Sequence, residues 1–589
     1  MGILLYKGND IAIIMEFSEY ASICNELEIN KGRYEKTRII AKSFKDIDDE
    51  NLPILSILLL GRFFSQHEMK ESGVSAKIVS KAMAKAYDTT TDRILREWSR
   101  TGDLGIIAEE LSSKGRQYTL VKKTITIKEV YESIRKFPEM QGSGSTGRKT
   151  DILSSMLRES EGIEARYIAR LVVGDLRTGV GEGIIRDALI VAFVHPEFLS
   201  EESFQIPREE SDKAQEALDI ITDIRELSLL VKNNPKKYDS KVFLRLFRPL
   251  KSMLAQRSTG VDDALKRTGV PCALEYKYDG FRAQIHKNGN DIRIYTRKLE
   301  DVTIQFPEMI EHIHDAIIPE QCIIDSEFVG YDHDNNRPVP FQDISQRIKR
   351  KHGIEEMAKK LAVIIKVFDI IMTGNNNLLK TGYKDRRKIL SDSIKENSKV
   401  MLSDMRIVND ETEALKYLKS AISEGHEGLM AKSLNGIYRP GARVGTMIKI
   451  KEALDTIDLV ITKAEWGEGK RARWLSSYTL ALYHEGEYLT IGKVGSGLKE
   501  KEEEGITFEM MTRMLKQTII KEEGRTVTVK PTIIVEIRAE EIQKSDSYSS
   551  GYALRFPRII SVKEDRQPND TASLEDIRLA YETQKGKTN

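Results

Sequence analysis

The sequence predicts a multidomain protein with a helical first part, a mixed α and β middle part and a strand-rich C-terminal part. Its 589 residues exceed one domain, because length suggests about one domain per 100–200 residues. Residues 15–230 place apolar side chains at spacings of three and four, the period of a buried helix face. From about residue 458 onward, short runs with the alternation of strands predominate, which favours a small β-barrel.

The first part is expected to contain helices separated by glycine, proline and serine breaks. Residues 92–99, 152–157 and 164–173 carry the helical spacing, and candidate strands are scarce. Residues 233–237 (NNPKK) are polar and predict a linker. We therefore expect a helical domain over residues 15–237. Residues 1–14 form an extension that is either native or due to an upstream start codon.

The middle part is predicted to contain both strands and helices. Residues 273–286 and 291–297 are rich in alternating and β-branched residues, and they flank residues 288–290 (NGN), a hairpin signal. Further predicted elements are strands at 322–329 and 363–371 and helices at 385–395 and 411–423. Residues 238–454 are therefore expected to form an α+β domain. In the remainder, residues 455–589, strands are predicted at 459–465, 478–483, 488–494 and 532–537.

Composition excludes several classes of protein. With 92 basic and 91 acidic residues and a net charge of +1, the chain is no polycation. This balance does not exclude a local basic groove that binds nucleic acid. The three cysteines, Cys24, Cys272 and Cys322, are too dispersed for a zinc site or a disulfide framework, so a reducing cytoplasm is expected. The apolar runs near the N-terminus are too short for a membrane span.

Charged residues recur inside segments that otherwise look like buried strands. In residues 275–282 (EYKYDGFR), an extended strand would place Glu275, Lys277 and Asp279 on one face. An ion-pair ladder on the surface explains that segment alone equally well. However, charges also lie in residues 324–328 (IDSEF), 366–370 (KVFDI), 427–432 (EGLMAK) and 447–451 (MIKIK). Buried charges are costly unless they are paired or liganded, so their recurrence indicates a common polar cleft.

In order and type, these segments resemble the six motifs of the covalent nucleotidyltransferases, and specifically the ATP-dependent DNA ligases of the archaeal type. Residues 295–297 (YTR) lie among these segments, and residues 555–558 (RFPR) resemble the sixth motif. Residues 101–105 (TGDLG) and 176–183 (LRTGVGEG) resemble parts of that family's DNA-binding domain. The resemblance runs from about residue 15 to residue 570. It implies an all-α DNA-binding domain, an α+β adenylation (nucleotidyltransferase) domain and a C-terminal OB-fold β-barrel.

The resemblance implies that nicked double-stranded DNA is sealed in three steps. Lys277 attacks the α-phosphate of ATP to form lysyl-AMP, AMP passes to the 5′-phosphate of the nick, and the 3′-hydroxyl then expels AMP. The attacking amine must be neutral, and a lysine titrates readily when it is desolvated or close to other cations. We expect Lys449, Lys451, Arg282 and a bound metal to supply that cationic setting.

Further roles follow from the resemblance. Glu275 is implied to contact the adenine edge and Phe368 to stack on the base, although on the residues alone Phe368 is better explained as a core aromatic. Glu327 is implied to hold the ribose and, with Glu427, to bind Mg²⁺ or else Mn²⁺, because these cations prefer oxygen ligands. The residues implied to bind sugar or phosphates are Arg282, Arg297, Arg443, Lys449 and Lys451. Ser561 departs from the family's sixth motif, where an arginine is usual, so we expect either more reliance on Lys563 or a slower first step.

Predictions about partners rest on weaker patterns. Residues 347–351 (RIKRK) and 470–473 (KRAR) are candidate contacts to DNA phosphates, and an ordinary solvated face is the alternative. Residues 117–121, from Gln117 to Val121, occupy the place where some archaeal ligases carry a sliding-clamp peptide, but they lack the paired aromatics. A monomer without membrane contact is expected.

Other functions explain the sequence less well. An RNA ligase or a capping enzyme would share the Lys277 motif, but neither accounts for a long helical first domain. A NAD-dependent ligase would normally carry a four-cysteine zinc module, which three dispersed cysteines cannot build. A non-catalytic DNA-binding clamp would not need the full set of Lys277, Glu327, Glu427, Lys449 and Lys451.

Overall fold

A computed structural model describes residues 4–583 of the chain, apart from residues 8–9, 14, 69, 114–123, 202–203, 333–336, 340–343, 345–346, 349, 351, 452–455, 468–470, 472, 501–505 and 564–565. The proposed clamp segment (Gln117 to Val121) and the presumed boundary near residue 454 lie outside the described residues. Among the residues described, no helix has both the length and the apolar character that a membrane span requires.

The first part is helical, as predicted. Ahead of it, β1 (Leu4–Lys7) and β2 (Asp10–Ile13) pair antiparallel. In the first helix, Phe17, Tyr20, Cys24 and Leu27 are fully buried, so the spacing of three and four residues forms the core face. The helices are α1 (Phe17–Ile29), α2 (Arg33–Phe44), α3 (Asn51–Leu58), α4 (Ala76–Ala86), α5 (Thr91–Thr101), α6 (Leu104–Ser113), α7 (Ile127–Arg135), α8 (Ser145–Glu159), α9 (Ile163–Val173), α10 (Glu182–Leu189), α11 (Arg208–Ile221) and α12 (Ile224–Asn233).

The middle part is built on two sheets. Its strands are β3 (Leu254–Arg257), β4 (Cys272–Tyr276), β5 (Gly280–Asn288), β6 (Asp291–Thr296), β7 (Gln321–Asp332), β8 (Arg337–Val339), β9 (Val363–Thr373), β10 (Asn376–Asn377), β11 (Val400–Leu402), β12 (Met405–Val408), β13 (Gly428–Ser433) and β14 (Arg443–Lys451). Sheet I has the order β12-β4-β13-β14-β3. Sheet II has the order β10-β9-β7-β5-β6, with β11 beside β9 and β8 beside β7.

Helices cover one face of each sheet. The middle helices are α13 (Val261–Thr268), α14 (Pro307–Ala316), α15 (Ile354–Lys360), α16 (Tyr383–Ser393) and α17 (Glu411–Ser423). Apolar residues of α13 and α17 share a core with sheet I, and those of α14 and α16 share one with sheet II. The other face of each sheet carries the polar residues of the site together with a further apolar cluster that includes Ile323, Ile371 and Met447.

Two details of the predicted strands differ from the structure. The hairpin is confirmed, since Asn288 pairs with Asp291 across the predicted turn. However, the single strand predicted over residues 273–286 is wrong. It is divided into β4 in sheet I and β5 in sheet II, so Asp279 lies in the connection between them and not on a strand face with Glu275.

A strap formed by residues 247–253 joins the helical part to the middle part. The Lys251 ammonium lies 3.0 Å from Glu182 and 3.1 Å from Asp219, both in the helical part. At its other end, the strap's Met253 carbonyl accepts a hydrogen bond of 2.5 Å from Arg282 on β5. The strap therefore connects the polar face of sheet II directly to the helical part.

The C-terminal part is strand-rich, as predicted. Its helices are α18 (Phe508–Lys516) and α19 (Leu574–Thr583), and its strands are β15 (Ile457–Trp466), β16 (Leu475–His484), β17 (Glu487–Val494), β18 (Ile519–Glu523), β19 (Thr526–Val529), β20 (Ile534–Arg538), β21 (Glu541–Lys544), β22 (Tyr552–Arg555) and β23 (Arg558–Lys563). The main sheet runs β17-β16-β15-β19-β18, and β20 joins β15 to β23. Within the described strands this sheet does not close on itself, so the closed barrel stays a prediction.

Candidate active site

The polar face of sheet I carries Glu275, Lys432 and Lys449. Strand pairing places Met430 of β13 opposite both Glu275 of β4 and Lys449 of β14. The side chains of Met430, Glu275 and Lys449 therefore lie on one face. Lys432, two residues beyond Met430, shares that face. Alternate residues of the same strands, such as Leu274, are buried in the core beneath.

The polar face of sheet II lies opposite. Arg282 of β5 pairs in register with Glu327 of β7, and both point away from the core that contains Phe281 and Phe328. Phe368 of β9 links the two sheets, because its ring centre is 5.3 Å from the Arg282 guanidinium and 4.8 Å from the Lys432 ammonium. Charged residues of both sheets therefore face one another across a shared cleft, whereas Asp369 is paired with Arg386.

Lys277 lies just after β4, where the backbone still pairs with the neighbouring segment. Its N–H donates to the Gly428 carbonyl at 2.9 Å, and its carbonyl accepts from the Glu427 N–H at 3.0 Å. Its Nζ lies 2.5 Å from Glu427 Oε2, and the same oxygen lies 2.7 Å from Lys451 Nζ. We call Lys277, Glu327, Glu427 and Lys451 the Lys277 cluster.

The ionisation of Lys277 differs from the prediction. Burial lowers the pKa of Lys277, but the nearby Glu427 carboxylate outweighs this and leaves the pKa above its usual range. Although burial opposes it, the charges of Lys277 and Lys451 lower the pKa of Glu427 to about 2. In the ligand-free protein the nearest charge to the amine is thus a carboxylate, and the cationic setting that includes a bound metal stays a prediction.

Glu327 is the counterpart of Glu427 on sheet II. Burial raises the pKa of Glu327 to about 8, although the charges of Lys277 and Arg282 oppose the shift. Among the described residues, its carboxylate has no hydrogen bond or ion pair within bonding distance. The cleft thus holds one carboxylate that is ionised by two lysines and another that burial tends to keep protonated near neutral pH.

Glu275 lies farther along the same face, away from Lys277. It is 2% exposed, with one carboxylate oxygen 2.6 Å from Lys432 Nζ and the other accepting a hydrogen bond from the Tyr383 hydroxyl. The Lys432 ammonium also lies 4.6 Å from the Tyr383 ring centre. We call Glu275, Phe368, Tyr383 and Lys432 the Glu275 cluster.

Arg282 belongs to a buried network. Its guanidinium donates to Asp325 at 2.6 Å and to the Tyr438 hydroxyl at 3.1 Å. Tyr438 in turn donates to Asp325 at 2.5 Å. Arg282 is therefore fixed at the floor of the cleft beside Phe368, with its charge compensated by Asp325.

Lys449 and Lys451 lie on neighbouring positions of one strand face of β14, as predicted. Burial lowers the pKa of Lys449, and the charges of Lys451 and Lys277 add to that effect. Glu540 of the C-terminal part approaches this edge of the cleft, 3.8 Å from Lys451 and 2.5 Å from Arg257. The C-terminal part therefore contacts the lysine-bearing edge of the cleft.

Two predicted site residues are exposed and lie outside the buried part of the cleft. Arg297 follows the end of β6 and Arg443 begins β14, and both are exposed to solvent. Within the described part of the chain, neither forms an ion pair. Both remain available to a ligand.

The sixth motif lies on the C-terminal part and begins beside Glu540, whose N–H donates to the Arg555 carbonyl at 2.9 Å. Phe556 is exposed in the connection between β22 and β23. The Ser561 hydroxyl donates to Glu536 at 2.6 Å, and Lys563 lies 3.1 Å from the same carboxylate. Lys563 is thus already paired in the ligand-free protein.

One predicted DNA contact is wrong. Arg347, in the first basic cluster, is 1% exposed, and its guanidinium bonds to Glu308 at 2.6 Å and to the carbonyls of Gln305 and Leu361. It stabilises the fold and is not available to phosphate. Lys349, Lys351 and Lys470 lie outside the described residues.

Sequence reasoning missed several residues of the cleft. Tyr383 lies on α16, outside every motif, and Tyr438 and Asp325 complete the network around Arg282. Lys432 lies in residues 427–432, but the sequence did not assign it a role in the site. The burial of a charge within an apolar strand was the available signal for Asp325 and Lys432, whereas no sequence signal identifies Tyr383.

Comparisons with known proteins agree with this architecture. Three family models match the chain: "DNA ligase N terminus" over residues 16–190, "ATP dependent DNA ligase domain" over residues 252–451, and "ATP dependent DNA ligase C terminal region" over residues 471–566. Their order follows the helical, mixed and strand-rich parts.

Similar proteins extend over nearly the whole chain. A DNA ligase of Nanoarchaeum equitans is 40% identical over 97% of this chain and 99% of its own length. A DNA ligase of Thermococcus fumicolans is 36% identical over 96% and 98%. The solved structure titled Pmar-Lig_PreS3 has a TM-score of 0.54 at 18% identity over 92% of this chain and 99% of its own, which supports the fold alone. The chain therefore belongs to the family of ATP-dependent DNA ligases.

Proposed function

We propose that this DNA ligase seals nicks between a 5′-phosphate and a 3′-hydroxyl in duplex DNA through an adenylate carried by Lys277. The observation that carries the proposal is the Lys277 cluster. It holds a primary amine 2.5 Å from a carboxylate and beside a second lysine, in a cleft that also contains a half-buried aromatic ring. Such a cleft provides a nucleophile, sites for phosphate charge and a surface for a base.

In the first step, Lys277 Nζ loses a proton and its lone pair attacks the α-phosphorus of ATP. A nitrogen–phosphorus bond forms, the bond to the oxygen that bridges to the β-phosphate breaks, and pyrophosphate leaves. Lys451 shares Glu427 with Lys277. If ATP phosphates draw Lys451 away from Glu427, that carboxylate becomes a better acceptor for the proton of Lys277.

The second and third steps transfer the adenylate. An oxygen of the DNA 5′-phosphate attacks the phosphorus of lysyl-AMP, so that the bond to Lys277 breaks and the amine is regenerated. The 3′-hydroxyl then attacks the activated 5′-phosphate, loses its proton and expels AMP. One phosphodiester bond is formed for each ATP that is cleaved to AMP and pyrophosphate.

The remaining site residues have roles that match their positions. Glu275 contacts the amino edge of adenine, and Phe368 stacks on the base beside it. Glu327 holds the ribose. The cations that bind the sugar or the phosphates are Arg282, Arg297, Arg443, Lys449 and Lys451.

The carboxylates of the cleft suit a divalent cation. Glu327 lies near two cationic side chains, yet burial holds its pKa at about 8, so a further positive charge would favour its ionised form. The described residues offer no group of three or more His, Cys, Asp or Glu side chains for a metal, which fits Mg²⁺, a cation that shares its ligands with phosphates and water. Glu327 and Glu427 would hold Mg²⁺ or Mn²⁺, which would stabilise the negative charge of the phosphates.

The other domains complete the enzyme. Residues 15–237 bind duplex DNA, residues 238–454 form the adenylation domain, and residues 455–589 form an OB-fold barrel that carries the sixth motif. Action as a monomer in the cytoplasm and binding of a sliding clamp through Gln117 to Val121 stay predictions.

A nick-sealing assay tests the proposal. Wild type is expected to join a nicked duplex with ATP and Mg²⁺, and Lys277→Ala is expected to be inactive, because it removes the nucleophile. Lys416→Ala, which changes an exposed lysine of α17, should seal as wild type does. Sealing by Lys277→Ala, or sealing by wild type with NAD but not with ATP, would overturn the proposal.

A further inference from the structure

Glu275 is a buried carboxylate whose orientation is fixed from two sides. Lys432 Nζ lies 2.6 Å from one oxygen, and Tyr383 donates its hydroxyl to the other. An ionised carboxylate has about four acceptor positions. Tyr383 occupies one of them, whereas Lys432 and Arg387, the latter 3.7 Å from the Tyr383-bound oxygen, are ion-pair neighbours, so other acceptor positions stay open. The Phe368 ring centre lies 4.8 Å from the same Lys432 ammonium, so Glu275 is beside the aromatic ring.

Tyr383 is held firmly in place. It is the first residue of α16 and is 2% exposed. One turn later, Arg386 donates to both oxygens of Asp369 at 2.8 and 2.9 Å, and Asp369 follows Phe368 on β9. Lys384, which follows Tyr383, donates its backbone N–H to the Leu434 carbonyl at 2.8 Å. The hydroxyl is thus fixed relative to Phe368 on one sheet and to Lys432 on the other.

We propose that Tyr383 is a positioning residue for base selection, which orients the Glu275 carboxylate so that it accepts a hydrogen bond from the amino group of adenine. This rests on the proposed function, in which Glu275 and Phe368 receive the base. Adenine presents an amino donor where guanine presents a carbonyl oxygen. An oriented carboxylate therefore attracts the first and repels the second, whereas a carboxylate free to rotate discriminates less.

The test is the rate of lysyl-AMP formation in Tyr383→Phe at varied ATP or GTP concentration. This substitution removes only the hydroxyl. Because one hydrogen bond to a charged group is lost, we expect kcat/KM for ATP to fall on the order of tenfold, mostly through KM. We expect the preference for ATP over GTP to fall with it. Tyr417→Phe, a buried tyrosine on α17, is the matched control.

A double-mutant cycle separates positioning from a general structural role. If Tyr383 acts through Glu275, Tyr383→Phe should have little further effect in a Glu275→Gln background. Equal losses for ATP and GTP, additive effects with Glu275→Gln, or unchanged kinetics in Tyr383→Phe would each overturn the inference. Thermal melting of each variant shows whether it is folded. Absence of lysyl-AMP in wild type would instead refute the proposed function, so the two failures are distinguishable.

Discussion

The Glu275 cluster and the Lys277 cluster lie in the same cleft between the two sheets, yet their buried charges are compensated differently. In the first, one carboxylate is already held by a hydrogen bond from Tyr383 and an ion pair with Lys432. In the second, two ammonium groups share one carboxylate, while the other carboxylate has a pKa of about 8. The Glu275 cluster is therefore assembled before a ligand arrives. In the Lys277 cluster, by contrast, the ion pairs have to rearrange and Lys277 has to lose a proton before it reacts. Changes in the first should alter affinity and selectivity, and changes in the second should alter rate and pH dependence.

The largest effect is expected from Lys277→Arg. An arginine stays protonated and cannot supply the lone pair that attacks phosphorus, so no adenylate should remain on the denatured protein after incubation with α-labelled ATP. Lys416→Arg should be labelled as wild type is. Labelling of Lys277→Arg would show that the nucleophile lies elsewhere.

Glu427→Gln should change the reactivity of the Lys277 amine and the rate of adenylylation in opposite directions. Because the Glu427 charge raises the pKa of Lys277, its loss should lower that pKa and speed the reaction of the amine with a neutral acylating reagent. Adenylylation should nevertheless slow by about 10²–10³-fold, since the acceptor for the Lys277 proton and a ligand of the cation that stabilises phosphate charge are both lost. Peptide mapping of acylated Lys277 and labelling with ATP measure the two effects.

Glu411→Gln, at an exposed position on α17, is the control for that experiment. Parallel changes in acylation and adenylylation for Glu427→Gln would contradict this account.

Glu327 should make the rate of adenylylation depend on pH. With a pKa of about 8 in the fold against an ordinary value of 4.5, its ionised form grows as pH rises from 7 to 9. Adenylylation at limiting Mg²⁺ should rise about tenfold over that range, since an ionised carboxylate binds the cation more tightly. The same measurement in Glu327→Gln should show a flatter profile at a lower rate.

The stability of the protein should change in the opposite direction. Between pH 4.5 and about 8 the folded protein binds a proton that the unfolded chain has lost, so the free energy of unfolding falls as pH rises. Glu327→Gln should therefore be more stable than wild type near pH 8, by on the order of 1–3 kcal/mol, as measured by denaturant unfolding at pH 5 and pH 8. Equal pH dependence in both proteins would contradict the raised pKa.

The smallest effect on chemistry is expected from Asp369→Asn. It breaks the buried pair with Arg386 that anchors α16, at a cost of about 3–5 kcal/mol in stability. Because α16 carries Tyr383, the KM for ATP should rise a few-fold while adenylylation at saturating ATP stays close to wild type. A loss confined to the saturated rate would show that the two clusters are not separable in this way.

Local sequence patterns predicted much of the fold. The helix predicted over residues 411–423 has those bounds in the structure, and the hairpin turns at the predicted Asn-Gly-Asn. Both depend on neighbours in the chain, as helical spacing and turn residues do. The division of one predicted strand into β4 and β5 could not be predicted, because it depends on which sheet each half joins.

The site was predicted in composition better than in electrostatics. Lys277 and Glu275 were expected on one face, and both line the cleft. The protonation of Lys277 was not predictable, because it is set by Glu427, 150 positions away in the chain. Tyr383 was missed for the same reason, since its partner Glu275 is 108 positions away and no local pattern marks the contact.

The most direct test of the covalent mechanism is to isolate the protein after incubation with ATP and Mg²⁺, remove free nucleotide, and add nicked duplex DNA. We predict one adenylate per molecule, located on Lys277 by peptide mass spectrometry, and about one nick sealed for each adenylate without added ATP. An adenylate on another residue, or a carrier that seals no nick until ATP is supplied, would contradict the account.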